Sequence, residues 1–186
     1  MGFLLIGCLS YAPFYVYDRL KIRGINHLWL FAVSFASILI CSVGCFFTGP
    51  VHLELSVFWK VLAGLLAAVN ALLMIRSLFF SLPKGTYDGD ISNVVDTGLY
   101  ALCRHPGVLF FGGMHFFLWL VSGRDMMLLC AACFTLCDVL YVYVQDRRYF
   151  PLMLPGYEEY KKRVPFLIPT GASIVRCIES SDRKVV

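Results

Sequence analysis

The chain alternates between long apolar runs and short polar stretches, and this pattern predicts helices of membrane length. A transmembrane helix needs about 20 residues to cross ~30 Å of hydrocarbon. Three of five runs meet this length, whereas the first, which contains Pro13, and the fourth are marginal. In chain order the runs are Phe3–Tyr17, His27–Phe47, Val57–Leu82, Pro106–Ser122 and Met126 to about Phe150. The pattern predicts an all-α, polytopic integral membrane protein with about five transmembrane helices.

Composition and breaker residues indicate how the chain is organised. The 186 residues are 59% hydrophobic and 15% charged, whereas soluble domains carry about 25% charged residues. We therefore expect a single domain over residues 1–186, with little of it outside a membrane. Its parts would be three N-terminal helices in 1–82, a site-bearing half in 83–169 and a flexible tail in 170–186. Prolines bracket a short amphipathic C-terminal segment, with a helix expected around Tyr157 to Arg163.

The basic residues are distributed unequally between the two sides that five alternating helices define. Of the 16 Lys and Arg residues, only Lys60 and Arg124 fall on one side. The positive-inside rule places the other side in the cytoplasm, with loops 18–26 and 83–105 and the tail after about residue 146, and the N-terminus outside. The net charge of +4 then reflects topology and attraction to anionic membrane lipids. No aromatic-rich basic groove points to a nucleic-acid partner.

Three of the eight cysteines have a spacing that also occurs in metal-binding sites. Cys130 and Cys133, in the segment "CAAC", share one helical face with Cys137. Metal and redox pairs use the same spacing, but no second pair with zinc-like spacing completes a ligand set. Cysteine is also a common small residue in helix packing. We interpret these residues as packing residues and predict no metal site.

A charged and polar cluster stands where the fourth apolar run begins. Pro106 suits the first turn of a helix, where its missing N–H costs nothing, and His105 would then lie near the N-cap. Arg104 adds a planar guanidinium that suits a carboxylate, and a helix N-terminus attracts anions. This corner fits a ligand that bears a carboxylate or a phosphate. The alternative is that Arg104 extends to lipid headgroups and Pro106 only begins a helix.

Asp146 emerges at the end of the fifth run, on the same predicted side as Arg104. A carboxylate there is suited to accept hydrogen bonds from ribose hydroxyls or to balance a cationic ligand. The alternative is an ion pair with Arg104, Arg147 or Arg148, which at a protein surface contributes little stability. The residues alone leave both interpretations open.

Other polar residues lie inside the apolar runs. Asp138, Tyr141 and Gln145, and roughly Tyr149, share one face at helical spacing. An ionisable residue at membrane depth is a functional candidate by default. This face would extend a pocket inward, or it would line the ion path of a small transporter, although the chain shows no inverted repeat. Two further polar residues are interpreted as hydrogen-bonded packing residues, Asn70 and His115.

Two segments carry a resemblance to a known family. "GLYALCRHPG", from Gly98 to Gly107, is followed by one helical hairpin and then by "PGYEEYKKRVPFLIP", from Pro155 to Pro169. This order resembles the membrane methyltransferases of the isoprenylcysteine carboxyl methyltransferase group, which are related to the phospholipid N-methyltransferases. The resemblance covers roughly Gly98 to Pro169, and it implies S-adenosylmethionine as the cofactor.

The resemblance also implies roles for individual residues. In that family an Arg-His-Pro at a helix start and a Glu-Glu pair at the end of the next helix build the cofactor site. A tail with Tyr-x-x-Tyr and prolines closes over it. The positions that match here are Arg104, His105 and Pro106 for the first motif, and Tyr157, Tyr160, Arg163 and Pro165 for the tail. Two positions depart, since Val108 stands where the family has Tyr and Asp146-Arg147 replaces the acidic pair.

The function implied is methyl transfer from S-adenosylmethionine to a lipid-like or isoprenylcysteine-like amphiphile at the cytoplasmic membrane face. The expected cofactor-binding residues are Arg104, His105, Pro106, Asp146, Tyr157 and Tyr160, and the expected substrate pocket contains Asp138 and Gln145. No catalytic side chain is assigned, because a carboxylate substrate is already a nucleophile whereas an amine needs a base. The alternatives are a non-catalytic membrane protein that keeps the fold with a degenerate site, and a small transporter that uses Asp138.

Overall fold

The computed structural model describes residues 1–80 and 94–182, and within these ranges the protein is all-helical, with no strand. The helices are α1 Gly2–Leu9, α2 Ala12–Ile22, α3 Leu28–Phe47, α4 Val57–Ile75, α5 Leu99–Leu102, α6 Pro106–Ser122, α7 Asp125–Val144, α8 Phe150–Met153, α9 Tyr157–Arg163 and α10 Gly171–Asp182. Two π-helical turns, Arg76–Phe80 and Gln145–Tyr149, extend α4 and α7. Most of the predicted polar loop from Pro83 to Gly98 lies outside the described residues.

Three helical stretches are long and apolar enough to cross a membrane: Leu28–Phe47, Val57–Phe80 and Asp125–Met153. Helix α6 is apolar but shorter, with 17 residues. The first apolar run forms two shorter helices, because the chain leaves regular α-helix at Ser10 and Tyr11, just before Pro13. A proline has no N–H for the i to i−4 bond, so a break at this point is expected.

The described helices pack into a bundle with two distinct ends. Helix α6 packs between α4 and α7, while α1 and α2 pack against α3. At one end Val51 pairs with Arg124, which joins the α3–α4 connection to the α6–α7 turn. The opposite end brings together the C-terminus of α2, the N-terminus of α6, the C-terminus of α7 and helix α9.

The core depends on close approaches at small residues. The Phe134 ring is fully buried and lies so close to Gly7 that a Cβ there would stand 2.0 Å from its Cζ. Tyr11 Oη donates a hydrogen bond to the Phe134 carbonyl at 3.0 Å. Helices α4 and α6 approach each other at Gly113, where a Cβ would stand 2.4 Å from Asn70 Oδ1. These contacts hold α1 on α7 and α4 on α6.

Two sequence-based boundaries differ from the structure. Residues 170–186 were expected to be a flexible tail, yet the described part forms helix α10, Gly171–Asp182. Ser180 Oγ accepts a hydrogen bond from the Gly98 N–H at 2.9 Å, which attaches α10 to the start of α5. Asp18 was counted within a loop over 18–26, yet α2 continues to Ile22 and buries it.

Candidate functional site

Local backbone geometry positions the first motif. Helix α6 begins at Pro106, with His105 as the N-cap residue, as the sequence predicts. Cys103, just before them, is fully extended with φ −158° and ψ 165°. The extended backbone lets the Arg104 N–H donate to the Pro165 carbonyl at 2.9 Å. The start of α6 is thereby attached to the segment that follows α9.

Arg104 and Asp146 form a two-point ion pair. Arg104 Nε donates to Asp146 Oδ1 at 2.7 Å, and Nη2 donates to Oδ2 at 3.2 Å. Two more Arg104 bonds run from Nη1 to the carbonyls of Lys161 and Val164, at 3.1 and 2.8 Å. A guanidinium has five N–H donors, so one on Nη2 is left for a ligand. Both of the ion-pair partners are largely buried, with side chains 11% and 3% exposed.

The two tail tyrosines are buried and complete this cluster. Tyr157 Oη donates to Asp146 Oδ1 at 2.7 Å, and Tyr160 Oη donates to the Tyr100 carbonyl at 2.7 Å. Burial raises the pKa of each phenol well above its usual value, and the bond to the Asp146 carboxylate raises that of Tyr157 further. Both tyrosines therefore act as neutral hydrogen-bond donors that fix α9 to the bundle.

His105 is buried between aromatic rings. Its ring stacks on Phe150 with centroids 5.8 Å apart and meets the edge of Phe166 at 5.2 Å. Its Nε2 lies 3.4 Å from Asp146 Oδ1. Burial lowers the pKa of His105, and the neighbouring carboxylate opposes that effect only in part. A neutral imidazole is the form that this environment favours.

A large cavity begins at this cluster and extends into the bundle. Its volume is about 490 Å³, within the range of small-molecule sites. Most of its wall is apolar, formed by side chains of α2, α3, α6 and α7. Leu39 and Val43 of α3 line it and are also exposed on the outer surface. The cavity therefore reaches the side of the bundle between α3 and its neighbours.

The predicted site residues stand in different relations to the cavity. Those that line it are Arg104, His105, Pro106, Tyr157 and Tyr160, together with Asp138 and Gln145. Asp146 does not line it, because Arg104 and Tyr157 cover its carboxylate. Val108, where the resembled family has Tyr, is buried and forms part of the wall. The smaller side chain leaves space that a tyrosine would fill.

Sequence reasoning missed a buried acid of the cavity, Asp18. It is 3% exposed and lines the cavity. Its Oδ2 accepts hydrogen bonds from Tyr141 Oη and Gln145 Nε2, both at 2.9 Å. The predicted face with Tyr141 and Gln145 was the available signal, since two polar side chains on an apolar helix need a buried partner.

Other candidates have structural explanations. His115 is fully buried, donates from Nδ1 to the Phe111 carbonyl and lies 2.9 Å from Ser42 Oγ. Asn70 donates to the Leu66 carbonyl at 2.9 Å. Cys130 is buried in the core, and the described residues contain no His, Cys, Asp and Glu grouping that would hold a metal ion.

These features define a helical protein with membrane-length apolar helices and a large apolar cavity next to a buried ion pair. No protein-family model, curated protein or solved structure matches the chain.

Proposed function

We propose that this protein is an S-adenosylmethionine-dependent methyltransferase that acts on a lipid-like amphiphile. The observation that carries the proposal is the position of the Arg104 cluster at one end of the 490 Å³ cavity. A ligand that spans both would have a polar part near Arg104 and an apolar part among the bundle helices. The resemblance in the segments from Gly98 to Gly107 and from Pro155 to Pro169 names the chemistry that fits this arrangement.

The chemistry of the cavity wall fits such a cofactor. Arg104 keeps one Nη2–H beyond the four hydrogen bonds that it makes, which suits an amino-acid carboxylate. His105 and Tyr157 line the same end of the cavity. The cofactor supplies an activated methyl group. The residues that would hold it are Arg104, His105, Pro106, Tyr157 and Tyr160.

The protein's own contribution is orientation and exclusion of water. Asp146 does not reach the cavity, so we assign it the role of fixing the Arg104 guanidinium in one plane. Precise placement of two reactants can lower a barrier by about 7–11 kcal/mol. A substrate that is already anionic, such as a carboxylate, would need no general base, whereas an amine would need one.

The substrate is expected to enter from the bilayer. Leu39 and Val43 line the cavity from α3 and are 55% and 52% exposed, and Met74 lines it from α4. Helices α3 and α4 are consecutive in sequence, yet α4 packs mainly on α6. An acyl or prenyl chain would pass through this separation without entering water. Asp138 and Gln145 would then lie in the substrate part of the cavity.

We further propose that five crossings place the Arg104 end of the bundle in the cytoplasm. The α1–α2 pair and α6 would provide the two crossings beyond the three membrane-length stretches. The N-terminus would lie outside and the C-terminus inside, because nearly all Lys and Arg residues fall at one end. S-adenosylmethionine is a cytosolic metabolite, so the open end of the site would face its supply.

A second candidate is a non-catalytic membrane protein that keeps the fold. The observation that favours it is the completeness of the cluster, in which Arg104, Asp146 and Tyr157 satisfy one another without a ligand. The basic Arg147 in place of a second acid points the same way. This candidate predicts a folded protein that binds no S-adenosylmethionine.

The test is calorimetric binding of S-adenosylmethionine to the full chain purified in detergent. We expect micromolar affinity, and a loss of at least tenfold in Val108→Phe, because the larger ring projects into the cavity. Val69→Phe on the exposed face of α4 is the matched control and should bind like the wild type. Binding would justify a screen for labelled methyl transfer into membrane lipid extracts. A folded wild type that binds nothing at millimolar cofactor would overturn the proposal and favour the second candidate.

A further inference from the structure

Outside the Arg104–Asp146 pair, the cavity wall contains more acidic than basic side chains. Arg104 is already paired with Asp146, which lies outside the cavity wall. The remaining ionisable acids and bases of the described wall are two acids, Asp18 and Asp138, and one base, Lys21. Within residues 1–80 and 94–182, no hydrogen bond reaches the Asp138 carboxyl group. The wall therefore offers acids that a cationic ligand can approach.

Asp18 presents one oxygen to that space. Tyr141 and Gln145 both donate to Oδ2, and Gln145 Nε2 also donates to Tyr141 Oη at 2.7 Å. The described residues donate no hydrogen bond to Oδ1. The carboxylate is therefore held rigidly from one side while its other oxygen is available. A donor group on a ligand in the cavity would complete the hydrogen bonding of this carboxylate.

A connected group of aromatic rings lines the cavity, and one of its members, Tyr141, donates to Asp18. The Phe14 ring stacks on Tyr141 with centroids 5.2 Å apart and lies 5.1 Å from Phe31. The Tyr17 ring lies 5.9 Å from Phe31 and also lines the cavity. Aromatic faces together with a carboxylate attract ammonium and sulfonium groups, because the ring quadrupole is negative at the face. A hydroxyl group could donate a hydrogen bond to the free oxygen, but it would not be stabilised by the aromatic rings as a cation is.

We propose that Asp18 and the rings of Phe14, Tyr17, Phe31 and Tyr141 bind the cationic centre of the ligand, and that Asp146 has a purely structural role. The inference rests on the proposed function in taking S-adenosylmethionine as that ligand. Its sulfonium and amino groups give it one net positive charge, whereas S-adenosylhomocysteine has none. The two molecules differ by only a methyl group and therefore separate recognition of charge from recognition of shape.

The experiment compares calorimetric affinities for both molecules in the wild type and Asp18→Asn. The asparagine carbonyl still accepts the bonds from Tyr141 and Gln145, so the cavity keeps its form. We expect a loss of at least tenfold for S-adenosylmethionine and less than twofold for S-adenosylhomocysteine. Glu158→Gln, which removes an exposed acid at the same end, should change neither affinity.

A second variant tests the inference if Asp18→Asn does not fold. Lys21 lies one turn after Asp18, and its positive charge competes with a cationic ligand for that carboxylate. Lys21→Gln should tighten S-adenosylmethionine binding two- to threefold and leave S-adenosylhomocysteine unchanged, with Arg19→Gln as the exposed control on α2.

Each other result has a defined meaning. Unchanged S-adenosylmethionine affinity in Asp18→Asn, or in Lys21→Gln where the former does not fold, would overturn the inference alone. Equal losses for both molecules would also overturn it, because they would show recognition of shape. A wild type that binds neither molecule would overturn the proposed function, and the inference with it.

Discussion

The Arg104 guanidinium and the Asp146 carboxylate meet at two points, 2.7 and 3.2 Å apart, although 42 residues separate them in the chain. The pair joins the N-terminus of α6 to the end of α7, and Arg104 extends the connection to the carbonyls that end α9. The acid that resembles part of a cofactor motif is therefore a structural partner of the arginine.

Asp146→Asn should destabilise the protein strongly. Removing one partner of a buried ion pair leaves an uncompensated charge and costs about 3–5 kcal/mol. We expect a clear fall in the thermal unfolding midpoint of detergent-purified protein. Glu159→Gln removes the acid of an exposed i,i+3 pair with Lys162 and should leave the midpoint unchanged. Equal midpoints for the two variants would contradict the structural role of Asp146.

The two tail tyrosines should differ in the cost of losing a hydroxyl. Tyr157 donates to a charged acceptor and Tyr160 to a neutral carbonyl. Hydrogen bonds to charged groups contribute about 1.5–3 kcal/mol, against about 0.5–1.5 kcal/mol for neutral ones. Tyr157→Phe should therefore lower the free energy of unfolding more than Tyr160→Phe does. Chemical denaturation of both variants tests the order, and the reverse order would argue against an ionised Asp146.

Stability should fall as the pH falls below about 6.5, in part because of His105. Burial lowers the pKa of this side chain in the folded state from its ordinary 6.5. The unfolded chain then binds more protons between the two pKa values, so acid favours unfolding there. Midpoints measured from pH 7.5 to 5 should decline less steeply in His105→Gln. The same slope in both proteins would mean that the imidazole does not titrate with unfolding.

Asp18 should destabilise the protein when no ligand is bound. It is 3% exposed, and burying a charge costs free energy that the two hydrogen bonds to one of its oxygens offset only in part. Asp18→Asn keeps an acceptor for both bonds and removes the charge. It should consequently raise the unfolding midpoint of the ligand-free protein at pH 7.5.

That gain in stability is a test in itself. A side chain whose removal stabilises the protein is retained for a reason other than folding, and binding sites commonly show this trade-off. Glu54→Gln, which changes an exposed acid in the α3–α4 connection, is the matched control. A lower midpoint in Asp18→Asn than in the control would show that the carboxylate stabilises the fold.

Gly123 should tolerate no side chain. It has φ +64°, and a Cβ there would stand 1.9 Å from the Leu53 carbonyl oxygen. Its own carbonyl accepts hydrogen bonds from the N–H groups of His52 and Leu53, so the turn has little freedom to move. Gly123→Ala should cost more than about 1 kcal/mol through backbone strain alone.

The control is a glycine in a helix interior. At Gly64 in α4 the nearest atom to a new Cβ is 4.0 Å away. Gly64→Ala should stabilise the protein by about 0.5–1 kcal/mol, because alanine loses less conformational freedom. Opposite signs for the two alanine variants are the expected outcome of thermal unfolding.

Local patterns in the sequence were sufficient for the bounds of some helices and for the meeting of Arg104 with Asp146. Pro106 marks the start of α6 because its fixed φ and missing N–H suit that position. Helix α9 has the bounds expected from flanking prolines, with acids in its first turn and bases in its last. The alternation of apolar runs across the membrane was enough to predict that Asp146 and Arg104 lie on the same side.

What the sequence did not reveal depends on contacts between distant elements. Asp18 follows an apolar run and resembles any polar residue at a helix end, and its burial requires α2 to pack beside Tyr141, 123 residues away. The same holds for Asp146, whose separation from the cavity is decided by how Arg104 and Tyr157 cover it. Helix α10, by contrast, could have been predicted from the sequence, because Ile174, Val175 and Ile178 have helical spacing.

The attachment of Arg104 to the carbonyls of Lys161, Val164 and Pro165 has a consequence for biosynthesis. The apolar helices that would insert into a membrane all precede residue 154, so insertion can be complete while the Arg104 side chain still lacks these partners. The segment after residue 154 supplies those partners and lines the cavity through Tyr157 and Tyr160, so this end of the cavity is completed after the long helices have been made. A chain interrupted after α8 would therefore contain every long helix and still have one end of its cavity open.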